Sequence, residues 1–407
     1  MLIRSCFDLK NSDDFSLFLG PIIFVGLLSI AFYCCGLFYL YGNFPDGLAD
    51  ANREDLVTYY RIGEMLAKGQ ITEVFQLEQF HAGLKAKFHY LLALNPPSLF
   101  FVTEFFYSIG YSASKVLILA ACVVCSLLIG TIAGRSIGAA LLVAISSMTA
   151  YSLISLNISI FIILMIVFAV TCAGRYPILS GIALALATFK PQYGLLLPVF
   201  LISCGHWRAF WSASLATAVL ITGSALTYGF DAWIAFITMF SDPGYQNHIQ
   251  GAINAFMSVH HALAKVGVSV VFREVAQAAL ILFSMGLIVY GARYWDRKLL
   301  CAITLYCSGL VSPSLFCYDW GLFYASFLML MQLGKRWPVW FQFMAAYVWC
   351  EPTIKFALAH TGPQVINYYS ASIPLTNLLV LGAILRVFAF PGGRTATQGK
   401  QDAVSIV

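Results

Sequence analysis

Apolar runs long enough to cross a lipid bilayer recur along this chain from Leu19 to Phe390. A bilayer core of about 30 Å takes about 20 apolar residues as a helix. Backbone polar groups cannot stay unpaired in hydrocarbon, so only helices or a closed barrel can span it. A barrel would alternate with period two in segments of about ten residues, whereas the runs here are unbroken. The sequence therefore predicts an all-α polytopic membrane protein of about 10–13 transmembrane helices. Only 10% of the residues are charged, against about 25% in a soluble domain. Spans are expected near 19–41, 91–109, 115–133, 137–152, 157–173, 177–204, 209–228, 275–293, 299–315, 320–333, 338–356 and 372–390.

The flanks and the charge balance exclude several classes. Met1–Ser16 is polar and carries Asp8, Asp13 and Asp14, and the first apolar run shows no small-residue cleavage site. It reads as a retained anchor. The formal charge of +5 is spread over short loops with no basic block, so nucleic acid is not an expected partner. Cys122-Val-Val-Cys125 has redox or zinc spacing, but it lies within an apolar run and lacks further ligands. It reads as two small apolar residues on a buried helix. Residues 1–390 read as one transmembrane domain, and Pro391–Val407, rich in Gly, Thr and Gln, as a flexible cytoplasmic tail.

One long polar stretch, Gly42–Tyr90, follows the first apolar run and gathers Asp46, Asp50, Glu54, Asp55, Glu64, Glu73 and Glu78. Orientation follows the basic short loops. Gly205-His-Trp-Arg208, Arg293–Lys298 and Gly334-Lys-Arg-Trp337 fit the cytoplasm. That leaves residues 42–90, 229–273, 312–320 and 357–371 outside. Residues 177–204 resist a single span. One helix there would be about 40 Å long, with Lys190-Pro191 at its middle. A lysine at the bilayer centre costs about 3 kcal/mol, and the proline breaks the helical ladder. Two short helices meeting at Lys190-Pro-Gln192 remove both problems and bring Lys190 toward the outer face.

Four patterns are able to carry chemistry. Glu54-Asp-Leu-Val-Thr-Tyr-Tyr-Arg-Ile-Gly-Glu-Met-Leu-Ala-Lys-Gly69 is helical in period, with Gly69 as its stop. It fits an interfacial amphipathic helix. Asp55 stands at its start, either as a helix cap or as a general base. Asn95-Pro-Pro opens an apolar run, with proline suited to the first helical turn. In Thr188-Phe-Lys-Pro-Gln-Tyr193, Lys190 needs a partner: a lipid phosphate, a carboxylate of the first loop, or the interface itself. In Ser312-Pro-Ser-Leu-Phe-Cys-Tyr-Asp-Trp320, Asp319 is again a cap or a site acid. His248, His260 and His261 fall in the same outer region without a third ligand at metal spacing.

Taken in this order, the patterns resemble glycosyltransferase family 87, polytopic enzymes of the GT-C class that include polyprenyl-phosphate-mannose-dependent mannosyltransferases. The resemblance covers most of residues 19–335. It implies a GT-C-like bundle with interfacial helices in an external catalytic loop at 42–90. It also implies an inverting, metal-independent transfer of a hexose from a polyprenyl-phosphate donor to a lipid or glycan acceptor. The enzyme would sit in the cell's inner membrane, act on its non-cytoplasmic face, and use no cofactor. Asp55 matches the family's catalytic aspartate, Lys190 and Gln192 its Lys-Pro-Gln, and Tyr318 and Asp319 its late Tyr-Asp. Lys190, with Arg61 or Lys87, is expected to bind the donor phosphate; Gln192, Tyr59, Tyr318, Asp319 and His260 the substrates. Asp46 and Asp50 compete with Asp55 for the role of base. Members often carry Gly-Gln before a long apolar run, where this chain has Ser155-Leu-Asn-Ile-Ser159. A lipid or polyprenyl-phosphate flippase is the rival reading, and it would be expected to show matched broken helices in inverted repeats; a membrane scaffold is the third.

Overall fold

The computed structural model describes residues 54–85, 91–251, 256–335, 337–358 and 363–390. The expected span at 19–41, together with Asp46, Asp50, Lys87 and the tail from Pro391, lies outside the described residues.

The described chain is helical, with no strands. It begins with α1 (Leu56–Ala67) and the short α2 (Leu77–His81), followed by α3 (Phe100–Ile109) and α4 (Tyr111–Gly134). Next come α5 (Ile137–Ala144) and α6 (Ser147–Ser155), an apolar pair bent by 49° at the break between them. After them run α7 (Ser159–Cys172), α8 (Pro177–Ala187), α9 (Leu197–Ser203), α10 (Trp207–Tyr228) and α11 (Phe230–Thr238). The second half holds α12 (Pro243–Gly251), α13 (Val259–Lys265), α14 (Val270–Tyr294), α15 (Arg297–Leu310), α16 (Gly321–Met331), α17 (Val339–Leu358) and α18 (Pro363–Ile384). Four stretches are long and apolar enough to cross a membrane: α4, α10, α14 and Tyr369–Ala389. The bent pair α5–α6 is long and apolar enough for a fifth if taken as one span. Several expected spans are therefore shorter than a full crossing. The run at 91–109 is helical only from Phe100, after a 3-10 turn at Pro97–Leu99.

The long helices turn apolar side chains outward. Leu215, Val219 and Leu226 on α10, Leu282 and Phe283 on α14, and Val124 and Leu128 on α4 are all exposed. In water such a surface would be costly at about 25 cal/mol per Å²; against lipid tails it is not. The protein is a multi-pass membrane protein.

Contacts between turns show that the bundle has two ends. At one end Arg297 Nη2 meets His206 Nε2 at 3.0 Å, and its guanidinium lies against Gly174. Trp295 and Tyr290 pack on Phe390, Lys335 Nζ donates to the Phe388 carbonyl, and Gln332 donates to the Ala133 carbonyl. At the other end Asp55 N donates to the Ser155 carbonyl (2.7 Å), Gln277 Nε2 to the Val311 carbonyl (2.6 Å), and Asn95 Nδ2 to the Phe189 carbonyl (2.9 Å). Residues 177 and 207 both lie at the first end, since Ser212 Oγ donates to the Ile178 carbonyl. So α8 runs in and α9 runs back, turning at Lys190-Pro191, as the lysine and proline predicted. Each arm is too short to cross: α8, at 11 residues, spans about 17 Å.

α1 is packed more deeply than a helix lying on a lipid surface. Leu56, Tyr59, Ile62, Met65 and Arg61 are all buried. A Cβ on Gly63 would collide with the Thr103 carbonyl of α3, so the two helices cross at backbone contact. Gly69, at φ +74°, ends α1 as expected; its N–H and that of Gln70 return to the Leu66 and Met65 carbonyls. The CxxC pair is buried on α4. Because backbone cannot yield as a side chain can, Gly63→Leu is expected to destabilise the protein by about 1–3 kcal/mol. The check is the thermal unfolding midpoint in detergent, and an unchanged midpoint would contradict the tight crossing.

Candidate active site

Asp55 stands at the start of α1, yet its carboxylate makes no bond to that helix's free N–H groups. The capping role predicted as one option is therefore not what its side chain does. Asp55 Oδ2 accepts instead from Asn157 Nδ2 at 2.7 Å. Asn157 sits in the link between α6 and α7, whose first residue is Ser159. Its Oδ1 accepts from Ser159 N at 2.7 Å and from Ser159 Oγ at 2.6 Å. Ser159 Oγ in turn accepts from Lys190 Nζ.

The turn at Lys190 is what brings an ammonium here. A continuous helix would hold the lysine in its middle; the break ends α8 and projects the side chain into the end of the bundle. Lys190 Nζ lies 3.7 Å from Asp319 Oδ1 and 4.8 Å above the Tyr318 ring. Asp319 divides its work. Its Oδ2 accepts from Phe316 N at 2.9 Å and closes the turn that carries it, as a cap would. Its Oδ1 makes no hydrogen bond and faces Lys190. At 3.7 Å this pair is looser than a charge-assisted hydrogen bond of about 2.8 Å, so the ammonium is not saturated by it.

Burial is graded across the group. Asp319 and Ser159 are fully buried, Asn157 and Lys190 nearly so, and Asp55 is partly exposed. Desolvation raises the Asp55 pKa above the usual carboxylate value. The Asn157 amide and then the Lys190 charge work against that rise, and Asp319 adds to it. The carboxylate is thus held nearer neutrality than a solvated one, with its charged form still supported by a donor.

The other expected site residues are placed as follows. Tyr59 is buried beside Asp55, whose charge is among the causes that raise its hydroxyl's pKa after burial itself. Gln192 does not reach the carboxylates; its Nε2 donates to Ser314 Oγ at 3.2 Å, and Tyr193 Oη donates to the Ser314 carbonyl at 3.1 Å. Both tie the Lys190 turn to the 312–319 turn. Arg61 is engaged elsewhere: it pairs with Glu64 at 2.8 Å and donates to the Gln79 and Phe80 carbonyls. It fastens α2 to α1, because the chain between them needs a buried donor. His260 faces Glu274 at 3.1 Å. Among the described residues, no group of three or more His, Cys, Asp and Glu side chains forms a metal-binding cluster.

Three features were not predicted. Asn157 and Ser159 are the first two; their signal was two polar residues at the head of an apolar run. The third is a buried pair directly before Asp55. Glu54 Oε1 meets Lys115 Nζ at 2.8 Å, and Glu54 Oε2 accepts from Tyr111 Oη at 2.6 Å. Both charged side chains are 2% exposed. The pair locks the start of α1 to α4. The backbone of the Ser155–Ser159 stretch is also informative: Leu156 has φ +49°, where glycine is normally preferred. The stretch keeps a glycine-like turn followed by an amide side chain, although neither glycine nor glutamine is present.

A helical bundle with an apolar exterior and a carboxylate–ammonium cluster at one end defines the class: a multi-pass membrane protein with buried charged groups gathered at one end. The model of glycosyltransferase family 87 matches residues 90–317, more than half of the chain, and the chain belongs to that family. It is a membrane glycosyltransferase. No curated protein and no solved structure matched the chain. The matched stretch includes Asn157, Ser159 and Lys190; Tyr318 and Asp319 lie just past its end, and Asp55 lies well before its start.

Neutralising Glu54 removes the carboxylate that compensates the buried Lys115 charge at 2.8 Å. Glu54→Gln is expected to cost about 3–5 kcal/mol, and Glu54→Gln with Lys115→Met much less. The comparison is of denaturation midpoints for the two variants. Equal losses would mean that the two charges do not compensate one another.

Proposed function

We propose that this glycosyltransferase moves a hexose, mannose-like, from a polyprenyl-phosphate donor to a lipid or glycan acceptor, with inversion and without a metal, on the non-cytoplasmic face of the inner membrane. The observation that carries the proposal is the joining of Asp55 to Lys190 at the lipid-bounded end of the bundle. One is a carboxylate at the edge of the buried group; the other is a cation with an unsaturated pairing.

The chemistry follows from those two groups. Asp55 takes the proton of the acceptor hydroxyl as its oxygen bonds to the anomeric carbon. The bond from that carbon to the phosphate oxygen breaks, and its electron pair leaves with the phosphate. Attack opposite the leaving group inverts the centre. Lys190 stabilises the charge developing on the polyprenyl phosphate, where a low-dielectric setting makes one ammonium effective. Tyr318 and Asp319 hold Lys190 in place, and Gln192 holds its turn. Arg61 and His260, bonded elsewhere in this state, are not assigned to substrate. Lys87 is retained as a candidate second phosphate ligand.

Charge placement supports the orientation. The end opposite the site carries Arg135, Arg175, Arg208, Arg293, Arg297, Lys298 and Lys335, as expected of cytoplasmic turns. On the site's side, α11 exposes Phe230, Ile234 and Ile237 along one face, fit for lying in a membrane surface.

The family resemblance favours transfer over lipid flipping. A transporter of the inverted-repeat kind needs matched broken helices; the α5–α6 pair bends by 49° but runs on toward the far end, whereas the chain turns back at Lys190.

Three outcomes are expected. Purified Asp55→Asn, supplied with polyprenyl-phosphate sugars and membrane lipid extracts, should lose about 10²–10⁴-fold in transfer; transfer equal to wild type would remove Asp55 as the base. The acidic limb of the wild-type pH–rate profile should fall above the usual carboxylate range near 4, because burial raises the Asp55 pKa and protonation abolishes the base. A limb at or below 4 would contradict this. A cysteine replacing exposed Asp242 should react with an impermeant reagent from outside the cell, and one replacing Arg208 should not; the reverse pattern would invert the topology.

A further inference from the structure

The bonds between Lys190 and Asp55 have a property that their distances alone do not express: their direction is fixed. An ammonium has hydrogens and no lone pair, so Lys190 Nζ donates and Ser159 Oγ accepts. A backbone N–H also only donates, so the Asn157 atom facing Ser159 N at 2.7 Å is its carbonyl oxygen. That oxygen is the partner left for the Ser159 hydroxyl hydrogen, at 2.6 Å. The Asn157 NH₂ must then face Asp55, which it meets at 2.7 Å. No choice of amide orientation is left open. Every hydrogen bond in the row donates toward Asp55.

We infer that Asn157 and Ser159 are positioning residues of the transfer reaction, forming a one-way hydrogen-bond relay that joins the Lys190 ammonium to the Asp55 carboxylate. Aligned donors in a buried row polarise one another. The ammonium strengthens the Ser159 donor, which strengthens the amide that holds the carboxylate. Asn157 and Ser159 are 4% and 0% exposed, so water does not short-circuit the row. The relay supports the ionised form of Asp55 and orients one of its oxygens. The Tyr318 hydroxyl also supports the carboxylate. The relay also makes the state of the base depend on the cation that meets the phosphate.

Other charged and titratable groups face Asp55. Tyr59 comes from α1, Tyr318 and Asp319 from the 312–319 turn, and Lys190 from the α8–α9 turn. Cys122 of α4 is among the groups around Tyr59. Glu54, next to Asp55, is committed to Lys115 and Tyr111. Of these, Tyr318 also hydrogen-bonds Asp55, as a weaker influence than the Asn157 amide.

The inference rests on Asp55 being the base, and the experiment separates the two. Ser159→Ala removes one hydroxyl and no charge, and it leaves the Ser159 N–H to Asn157 Oδ1 in place. The direct readout is the infrared titration of the Asp55 carboxyl, taken as the band missing from Asp55→Asn, which requires no substrate. The second is the pH profile of polyprenyl phosphate release from polyprenyl-phosphate-mannose. Ser159→Ala should move the titration and the acidic limb upward by about one pH unit. Ser159→Thr, which keeps a hydroxyl, should restore both. Asn157→Gln, which keeps an amide but misplaces it, should shift the titration upward as Ser159→Ala does; it serves if the alanine variant fails to fold. An unmoved titration in Ser159→Ala, or a rate lowered equally at every pH, overturns the relay while leaving Asp55 as the base. An active Asp55→Asn overturns the base itself, whatever the titration shows.

Discussion

The placement of one lysine organises this structure. A charged ammonium in the middle of an apolar span costs about 3 kcal/mol, and a proline directly after it cannot continue the helix. The chain resolves both by turning back: α8 and α9 enter the bundle from the basic end and meet at Lys190-Pro191. The ammonium then needs partners at the far end, and the far end supplies them. Asp319 comes from a turn closed by its own second oxygen. Ser159 comes from the head of α7, and Tyr318 lends a ring face. Three separate parts of the chain converge because one cation would otherwise be left unpaired in a medium that cannot solvate it.

The same constraint explains why the site is both tight and open. Lys190, Asn157, Ser159 and Asp319 are buried, and each is held by a neighbour. Asp55 is the least enclosed member, with intermediate exposure. It is held by two independent anchors. Its backbone N–H is fixed to the Ser155 carbonyl, and the residue before it is locked to α4 by the Glu54–Lys115 pair. A carboxylate set this way has little orientational freedom to lose, which suits the role of base proposed for it.

Much of this was legible in the residues. The apolar runs fixed the class, Lys190-Pro191 located the break, and Gly69 ended α1 where its freedom at positive φ predicted. Asp55, Lys190, Tyr318 and Asp319 were singled out and are brought together. Arg61 and His260 were singled out on charge and on an outer position, and both are bonded elsewhere, to Glu64 and to Glu274. Charge alone does not say which partner a long side chain will find. Asn157 and Ser159 passed unassigned because an Asn or Ser at a helix start is most often a cap. Indeed Asn157 Oδ1 does accept from the Ser159 N–H. Only its second function, toward Asp55, makes it part of the site.

The sequence by itself determined the solvent, the helical class, the orientation signal and the place where a span must break. Those follow from transfer energies and backbone geometry, which are local. Tertiary structure decided which charges meet. Asp55 is 102 positions from Asn157 along the chain, and no periodicity encodes their contact. It arises because α6 ends beside α1, with Leu156 held in a left-handed turn that delivers the amide to the carboxylate. The pairing of distant polar groups depends on which helix ends share a face of the bundle, and packing sets that.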